Sequence, residues 1–171
     1  MPDIQIECPG DKDWYWITEK HIETAWASLT SELQHAVSIE MVRDSLAEQI
    51  AKFRAEHGVT NQVLVAKSVD SRTVGYVWMG QVKSAFTGTL QAHILNLFVA
   101  DEFRGQGIGA LLMAQAETWA RQHKLERIGL SVATHNKTAI GLYENLEYKT
   151  ETLRMFKNIE QSYDTFAKSI K

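Results

Sequence analysis

The sequence predicts a mixed α/β domain with a mostly antiparallel central sheet, one parallel β-α-β unit and helices on both faces of the sheet. Three observations support this prediction. The spacing of apolar residues is helical in the first third of the chain and strand-like in the middle. A near-continuous apolar strand then runs into a glycine-rich turn and a further helix. Finally, 171 residues with only two prolines leave no linker, so we expect residues 1–171 to form one domain.

The N-terminal part of the chain predicts a short strand followed by two helices. Residues 4–7 alternate apolar and polar side chains, as a strand does. Apolar residues then recur at helical spacing from Asp13, the predicted N-cap, to about Leu29. The second helix is predicted between Ser38, its N-cap, and Gly58, where it stops. Both helices are expected to cover the sheet.

The middle of the chain predicts three strands. Residues 62–68 and 73–82 are rich in β-branched and aromatic side chains, and residues 69–72 between them read as a hairpin turn. Residues 90–100 form the next strand. This strand is almost continuously apolar towards its end, which is typical of a central strand buried on both faces.

The C-terminal part predicts alternating helices and strands. The elements are a helix at 107–123, a strand at 127–133, a helix at 136–146 and a last strand or hairpin at 148–159. The strand at 90–100 and the strand at 127–133 should be parallel and joined by a right-handed crossover. Ligands in such sheets bind beyond the carboxyl ends of the strands.

The turn after the central strand, Arg-Gly-Gln-Gly-Ile-Gly at residues 104–109, is therefore the first candidate site. It carries three glycines on alternate positions and leads directly into a helix. The start of a helix presents unpaired backbone N–H groups and the positive end of the helix dipole. The turn is thus suited to an anion, above all a phosphate.

Two phosphate-binding patterns fit this turn poorly. A P-loop requires a lysine directly after its last glycine, and no lysine follows Gly109. The dinucleotide fingerprint is closer, since Gly105, Gly107 and Ala110 have its spacing. That fingerprint expects an acidic residue at the end of the next strand to bind the ribose, and residues 132–135 contain none. A nucleotide-binding oxidoreductase is therefore disfavoured.

A third pattern fits well. The stretches LFVADEFRGQGIGALLM and NKTAIGLYENLEYK, in this order and joined by a helix and a strand, resemble the GNAT superfamily of acyl-CoA-dependent N-acyltransferases. The first motif is matched by Arg104, Gly107 and Gly109, and the second by Asn136, Ala139, Leu142, Tyr143 and Glu144. The resemblance is clear over residues 60–158 and implies the GNAT fold for the whole domain.

The resemblance implies that acetyl-CoA is the co-substrate. Its pyrophosphate would lie on the backbone of the turn, and a side chain at either of the last two glycines would occupy the space of the phosphate oxygens. The end of the central strand would pair with the pantetheine arm, and three positions at i, i+3 and i+7 of the last helix would face the cofactor. The residues implied are Phe98, Val99, Arg104, Gly105, Gln106, Gly107, Ile108, Gly109, Asn136, Ala139 and Tyr143.

The resemblance also suggests two catalytic side chains. Tyr143 would lie near the sulfur and protonate the departing thiolate, because a phenol with a pKa of about 10 is matched to that task. His93 lies on the central strand where histone-acetylating members carry a base carboxylate, so it is the candidate general base. Asn96 cannot act as a base but can position water. The tryptophans of residues 13–16 either wall an acceptor pocket or, as their helical spacing favours, pack in the core.

One departure from the family pattern is visible after the last helix. The family usually has Gly-Phe where this chain has Glu147 and Tyr148. The aromatic residue is kept but the glycine is lost. We therefore expect the turn that follows the last helix to differ slightly.

The function predicted is direct transfer of the acetyl group of acetyl-CoA to a primary amine of a small molecule or a protein, in a ternary complex without a covalent intermediate. The alternative is a non-catalytic acyl-CoA-binding or sensor domain of the same fold. In both cases the sequence does not identify the amine.

Composition limits the partners. A net charge of -3 disfavours nucleic acid and anionic membranes, and no apolar run reaches the roughly 18 residues needed to span a bilayer. His123 and His135 have no partner at metal-ligand spacing, so no metal is predicted. The first residues lack the pattern of a signal peptide, so we expect a cytoplasmic location. Since members of the family often dimerise through sheet edges, a homodimer is one expected assembly.

Overall fold

A computed structural model describes residues 3–157, which form one five-stranded sheet in the order β1-β2-β3-β4-β5 with helices packed on it. The elements, in chain order, are β1 (Gln5–Glu7), α1 (Asp11–Ser28), α2 (Ser31–Ala36), α3 (Ile39–Ala55), β2 (Asn61–Lys67), β3 (Thr73–Lys83), β4 (Leu90–Val99), α4 (Ile108–Gln122), β5 (Ile128–Leu130) and α5 (Lys137–Asn145). A short 3₁₀ turn, Asp101–Phe103, follows β4.

The topology of the sheet confirms the predicted mixture. Strands β1 to β4 pair antiparallel with their neighbours in sequence. Strand β5 pairs with β4 in parallel, after the crossover through α4. The β4-α4-β5 unit is therefore the parallel β-α-β unit that the sequence predicts.

Each face of the sheet has its own core. The face covered by α4 is aliphatic, with Leu112, Met113 and Ala116 of the helix packed on Val77 and Ile94 of the sheet. The face covered by α1 and α3 is aromatic. Its buried members are Trp14, Ile17, Ile22, Ile50, Val63, Val65, Tyr76 and Trp78. Helices therefore lie on both faces, as predicted.

The starts of the two long N-terminal helices differ in how well the sequence identifies them. Ser38 is the N-cap of α3, as predicted, and its hydroxyl accepts a hydrogen bond from the Met41 N–H at 3.3 Å. The prediction for α1 is wrong, because its N-cap is Gly10. Asp13 is instead a buried residue of the first turn, whose carboxylate accepts from the Gly10 N–H at 2.8 Å and contacts Lys67 of β2 at 3.2 Å. It ties the helix to the sheet.

Three further differences concern element boundaries. The sequence does not predict α2, which is only six residues long and begins at the Thr30 cap. Strand β5 ends at Leu130, three residues earlier than predicted. The predicted last strand is wrong over residues 148–157, which pair with no strand of the described chain and are exposed from residue 149 onwards. Residues 158–159 of that prediction lie outside the described residues.

Within the described part of the chain, no helix combines the length and hydropathy needed to cross a membrane.

Candidate active site

Strands β4 and β5 separate partway along their length. Their pairing covers Ala92, His93 and Ile94 of β4 and stops there, because β5 ends at Leu130. At the same level the pairing of β3 with β4 shifts, from Trp78 opposite Asn96 to Met79 opposite Ile94. Leu95 is thus an extra residue, a β-bulge, and bulges bend the strand that carries them. Beyond this point the two strands diverge, and a cleft opens between them. We call the point of divergence, after Ile94 of β4 and Leu130 of β5, the fork.

This cleft brings together four segments that are distant in sequence. One wall is the bulged part of β4, the opposite wall is the end of β5 with the start of α5, and α1 closes one side. The lining residues are His21, Thr24, Ala25 and Ser28 of α1, residues 94–97 of β4, Leu130 at the end of β5 with residues 131–133 after it, and Asn136, Ala139 and Tyr143.

The turn at 104–109 lies beyond the end of β4 and leads into α4. Gly107 is the N-cap of α4 with φ of 83°, a left-handed conformation that favours glycine, and no side chain of residues 3–157 caps the helix. The first bond of the helix runs from the Leu111 N–H to the Gly107 carbonyl at 3.0 Å. The N–H groups of residues 108–110 precede that bond, so they are directed out of the helix start where an anion would bind. The Ile108 side chain itself is buried in the core.

The glycine at position 109 has a packing role. A Cβ atom at Gly109 would meet Leu142 Cδ2 of α5 at 3.0 Å and Val99 Cγ2 at 4.0 Å. From the sequence we expected phosphate oxygens to occupy the space beside Gly109. In the structure Leu142 of α5 occupies that space. Gly109 therefore brings the start of α4, the end of β4 and α5 into contact.

The two polar side chains of the turn bond to the backbone next to it. Arg104 Nε donates to the Val99 carbonyl at 3.0 Å, and its guanidinium pairs with Asp101 at 2.7 Å. Gln106 Nε2 donates to the Glu102 carbonyl at 3.0 Å. These bonds fix the turn against the end of β4, while the left-handed Gly105 in its middle has no neighbour where a Cβ would lie.

The three predicted positions of α5 share one face and line the cleft. Asn136 is the N-cap, and its Oδ1 accepts from the Ala139 N–H at 3.1 Å. Tyr143 stands two turns further and lines the same cleft as residues 94–97 of β4. Burial raises the pKa of Tyr143 above 10, so its hydroxyl keeps its proton at neutral pH.

The turn after α5 is a regular Schellman motif. The Tyr148 N–H donates to the Tyr143 carbonyl at 2.9 Å, and the Glu147 N–H donates to the Glu144 carbonyl at 3.0 Å. Glu147 occupies the left-handed position, with φ of 66°, where glycine is usual. The expected change in this turn is therefore absent, and the glutamate adopts the conformation of the missing glycine.

His93 and Phe98 lie on β4 on either side of the bulge. His93 is opposite Gly80 and Gly129, below the fork, and it is not among the residues that line the cleft. Burial lowers its pKa below 6.5. Phe98 lies beyond the fork, and its ring contacts Trp16 of α1 at 5.5 Å and Tyr76 of β3 at 6.3 Å between centroids. Phe98 therefore faces α1.

The sequence analysis missed His21. This residue is on the buried face of α1, with 8% of its surface exposed, and its ring centroid lies 5.6 Å from that of Trp78. Burial lowers its pKa to about 4, so the imidazole is neutral at pH 7. A signal was present in the sequence, because His21 is four residues from both Ile17 and Ala25 on the apolar stripe of the helix.

A second groove, between α1 and α3, is wide and open but offers no comparable chemistry. Its two arginines are engaged: Arg43 is paired with Glu19 at 2.6 Å, and Arg54 lies over the Trp14 ring at 5.3 Å. Over residues 3–157, no group of three or more His, Cys, Asp or Glu side chains is arranged to hold a metal ion. The cleft at the fork is therefore the candidate active site.

Comparison with known proteins identifies the family. Residues 22–148 match the model of the Acetyltransferase (GNAT) family. An N-alpha-acetyltransferase of Saccharolobus solfataricus is 33% identical over 89 residues, which cover 47% of this chain and 53% of that protein. The N-alpha-acetyltransferase 60 of Danio rerio is 38% identical over 92 residues, or 50% of this chain and 38% of that protein. The matched region thus spans about half or less of these relatives.

Solved structures agree on the fold. A Pyrococcus furiosus protein whose name assigns it as an acetyl transferase superposes with a TM-score of 0.76 at 25% identity, covering 92% of this chain and 100% of that one. An aminoglycoside 6'-N-acetyltransferase from Acinetobacter haemolyticus superposes with a TM-score of 0.62 at 18% identity, covering 91% of this chain and 99% of that one, and it shows the fold alone. The uncapped turn, the fork beside it and these matches lead to one conclusion: the chain belongs to the GNAT acetyltransferase family.

Proposed function

We propose that this acetyltransferase binds acetyl-CoA and a primary amine together and transfers the acetyl group directly to the amine nitrogen. The observation that carries the proposal is the fork between β4 and β5, which meets the uncapped start of α4 at its outer end. A thioester and a pyrophosphate are the two ends of the reactive arm of acetyl-CoA. The fork and the helix start offer one place for each.

The residues present fit an acyl-CoA. The N–H groups at the start of α4 would bind the pyrophosphate, and Arg104 would act by bracing the turn. Among the described residues, the edge of β4 over residues 95–99 has no strand partner on the side of the fork, so it can pair with the amide groups of a pantetheine arm. Ala139, small and directed at the cleft, leaves room for that arm.

Two features support direct transfer. When bound, acetyl-CoA supplies a thioester whose carbonyl carbon the amine attacks, so that a C–N bond forms as the C–S bond breaks. Tyr143 lines the cleft in its protonated form and is the proposed donor of a proton to the leaving sulfur. Cys8, an exposed residue that follows β1, is three strands from β4, roughly 14 Å at the usual strand spacing. We therefore assign no acyl-enzyme to it.

The proposed general base is His93. Burial lowers the pKa of His93 below 6.5, so the imidazole is neutral at pH 7. It lies one residue before the last β4–β5 pair, outside the cleft, so we propose that it takes the proton of the amine through a bridging water. The acceptor is proposed to be the α-amino group of a protein or peptide, since two relatives carry that activity in their names.

Isothermal calorimetry followed by a turnover assay tests this function. We expect CoA and acetyl-CoA to bind and NAD not to bind. Acetyl-CoA should then be consumed in the presence of a panel of peptides and small amines. Binding of NAD without CoA would contradict the family-based proposal. Binding of CoA with no turnover on any amine would favour the acyl-CoA-binding or sensor alternative.

A further inference from the structure

Two buried polar groups in the cleft have no partner within the described part of the chain. They are Nδ1 of His21 and Oδ1 of Asn96, and both residues are more than nine-tenths buried. Buried side-chain polar atoms without a hydrogen bond are uncommon, because such atoms lose their water without compensation. A pair of them in one cleft therefore points to a polar group of a ligand.

The two groups lie in the same part of the cleft. Asn96 is the cross-strand partner of Trp78, so both side chains leave the sheet on the face covered by α1. The His21 ring contacts the same Trp78, at 5.6 Å between centroids. Both residues also line the cleft opposite Tyr143.

The bulge at Leu95 explains why Asn96 has this orientation. Without an extra residue, Leu95 and Asn96 would point to opposite faces of the sheet. Leu95 packs against the core on the α1 side, and Asn96 is also on that side because it is opposite Trp78. The bulge at Leu95, which lies at the fork, thus also directs the Asn96 amide into the cleft.

The cleft is built for an uncharged polar group. Among its described lining residues there is no aspartate, glutamate, lysine or arginine, so no counterion for an ammonium group is present. Taking an unpaired ammonium out of water is far more costly than taking out a neutral amine. A neutral primary amine has two N–H donors and one lone pair, whereas an ammonium group has no lone pair.

We infer that His21 and Asn96 form the subsite for the acceptor and receive a neutral primary amine, whose two N–H groups donate to His21 Nδ1 and Asn96 Oδ1. The inference rests on the proposed function and names its acceptor-binding residues. With its proton on Nε2, the neutral imidazole offers Nδ1 as an acceptor. The nitrogen lone pair then remains free to attack the thioester carbonyl, and both unpartnered atoms are satisfied.

A subsite for the neutral form selects amines of low pKa. The α-amino group of a peptide has a pKa of about 7.7–8.0 and a lysine side chain about 10.4. At pH 7 the uncharged fraction is therefore roughly 300-fold larger for the α-amine. The preferred acceptor is an α-amino group rather than an alkylamine or a lysine.

The amine preference is tested with two matched peptides at pH 7. One has a free N-terminus and no lysine, and the other has a blocked N-terminus and a single lysine. We expect kcat/KM to be at least about 100-fold higher for the first peptide. Equal values, or a preference for the lysine peptide or for a small alkylamine, would overturn the inference while leaving the proposed function in place. No transfer to any amine would overturn the proposed function, and the inference with it.

The two residues are tested with the variants His21→Leu and Asn96→Ala. Each should raise KM for the free α-amine peptide about tenfold, the usual effect of losing a hydrogen bond of this kind. Neither should change the Kd of CoA, and neither should lower Tm, because each removes a polar atom that has no partner in the free protein.

Asn61→Ala is the matched control. Asn61 is also buried beside Trp78, but its Oδ1 accepts from Trp78 Nε1 and its Nδ2 donates to the Phe53 carbonyl, both at 3.0 Å. Its loss should lower Tm and leave KM for the peptide unchanged. If His21→Leu and Asn96→Ala behave like Asn61→Ala, or leave KM unchanged, both residues are structural and the inference is wrong.

Discussion

The two faces of the sheet contribute to the candidate active site by different means. On the α4 face, the turn at 104–109 and the start of the helix present backbone N–H groups, and their polar side chains are engaged with nearby backbone atoms. On the α1 face, the site is made of side chains, above all His21 and Asn96. The first arrangement is local in sequence, and the second joins residues of α1 and β4.

This difference accounts for how the two substrates are recognised in the proposed reaction. A backbone-built anion site requires glycines at fixed spacing, so it leaves a motif that many acceptor specificities can share. A side-chain-built site requires only that certain groups meet in space, so it can change without disturbing the fold. The α1 face should therefore determine the acceptor specificity. It should also hold the buried polar side chains that lower the free energy of unfolding.

The largest expected effect concerns stability on the α1 face. Burial lowers the pKa of His21 from 6.5 to about 4, so between these values the unfolded chain binds a proton that the folded chain does not. The contribution of His21 to the free energy of unfolding is therefore fully present above pH 6.5. It falls by about 3 kcal/mol as the pH is lowered to 4. Urea unfolding of wild type and His21→Leu at pH 7 and pH 4.5 measures this difference.

The control for that experiment is His35→Leu, the same substitution on the exposed face of α2. We expect it to retain the acid-dependent loss that His21→Leu removes. If His21→Leu loses as much stability between pH 7 and pH 4.5 as wild type does, His21 is not buried as a neutral group, and the contrast between the two faces fails.

The next effect concerns the chemical step. Tyr143→Phe should lower kcat about 100-fold with little change in either KM, because general-acid catalysis contributes on this scale and the ring still fills its place. His93→Ala should have a smaller effect, since His93 lies below the fork. Steady-state kinetics with acetyl-CoA and a free α-amine peptide measure both. Unchanged rates in both variants would refute these two roles.

A third prediction tests the backbone character of the α4 face. Gly107→Ala should raise KM for acetyl-CoA about tenfold, because its left-handed φ of 83° costs an alanine roughly 1–2 kcal/mol and displaces the N–H groups of the turn. KM for the amine should not change. Gly141→Ala in α5, where a Cβ has open space, is the control and should leave both constants unaltered. A rise in KM for the amine in Gly107→Ala would contradict the proposal that the α4 face binds acetyl-CoA and the α1 face binds the amine.

The smallest effect concerns strain at the ends of the two helices on the α4 face. Glu147 and Lys124 follow α5 and α4 with φ of 66° and 58°, in left-handed positions that favour glycine. Glu147→Gly and Lys124→Gly should each raise the free energy of unfolding by about 0.5–1 kcal/mol, the strain relieved less the extra entropy of an unfolded glycine. Urea denaturation at pH 7 measures both gains. A loss of stability in either variant would mean that its side chain makes a compensating contact.

Sequence reasoning was most successful where a few neighbouring residues determine the structure. The central strand, the Ser38 cap, the glycine-rich turn and the shared face of Asn136, Ala139 and Tyr143 all follow from local spacing. It was wrong for Asp13, which lies inside the first turn, accepts from the Gly10 N–H and also contacts Lys67 of β2 and Thr73 of β3. It was also wrong for residues 148–157, whose strand-like pattern has no neighbouring strand in the described part of the chain.

By itself the sequence determined the fold class, the family resemblance and the position of the glycine-rich turn proposed to bind the donor, because backbone conformation depends on residues close together in the chain. Only the tertiary structure decided that β5 ends at Leu130, that Leu95 bulges, and that His21 and Asn96 meet in one cleft. Those features depend on strand register and on the packing of α1 against β4. Register and packing are properties of the assembled sheet, so no local pattern encodes them.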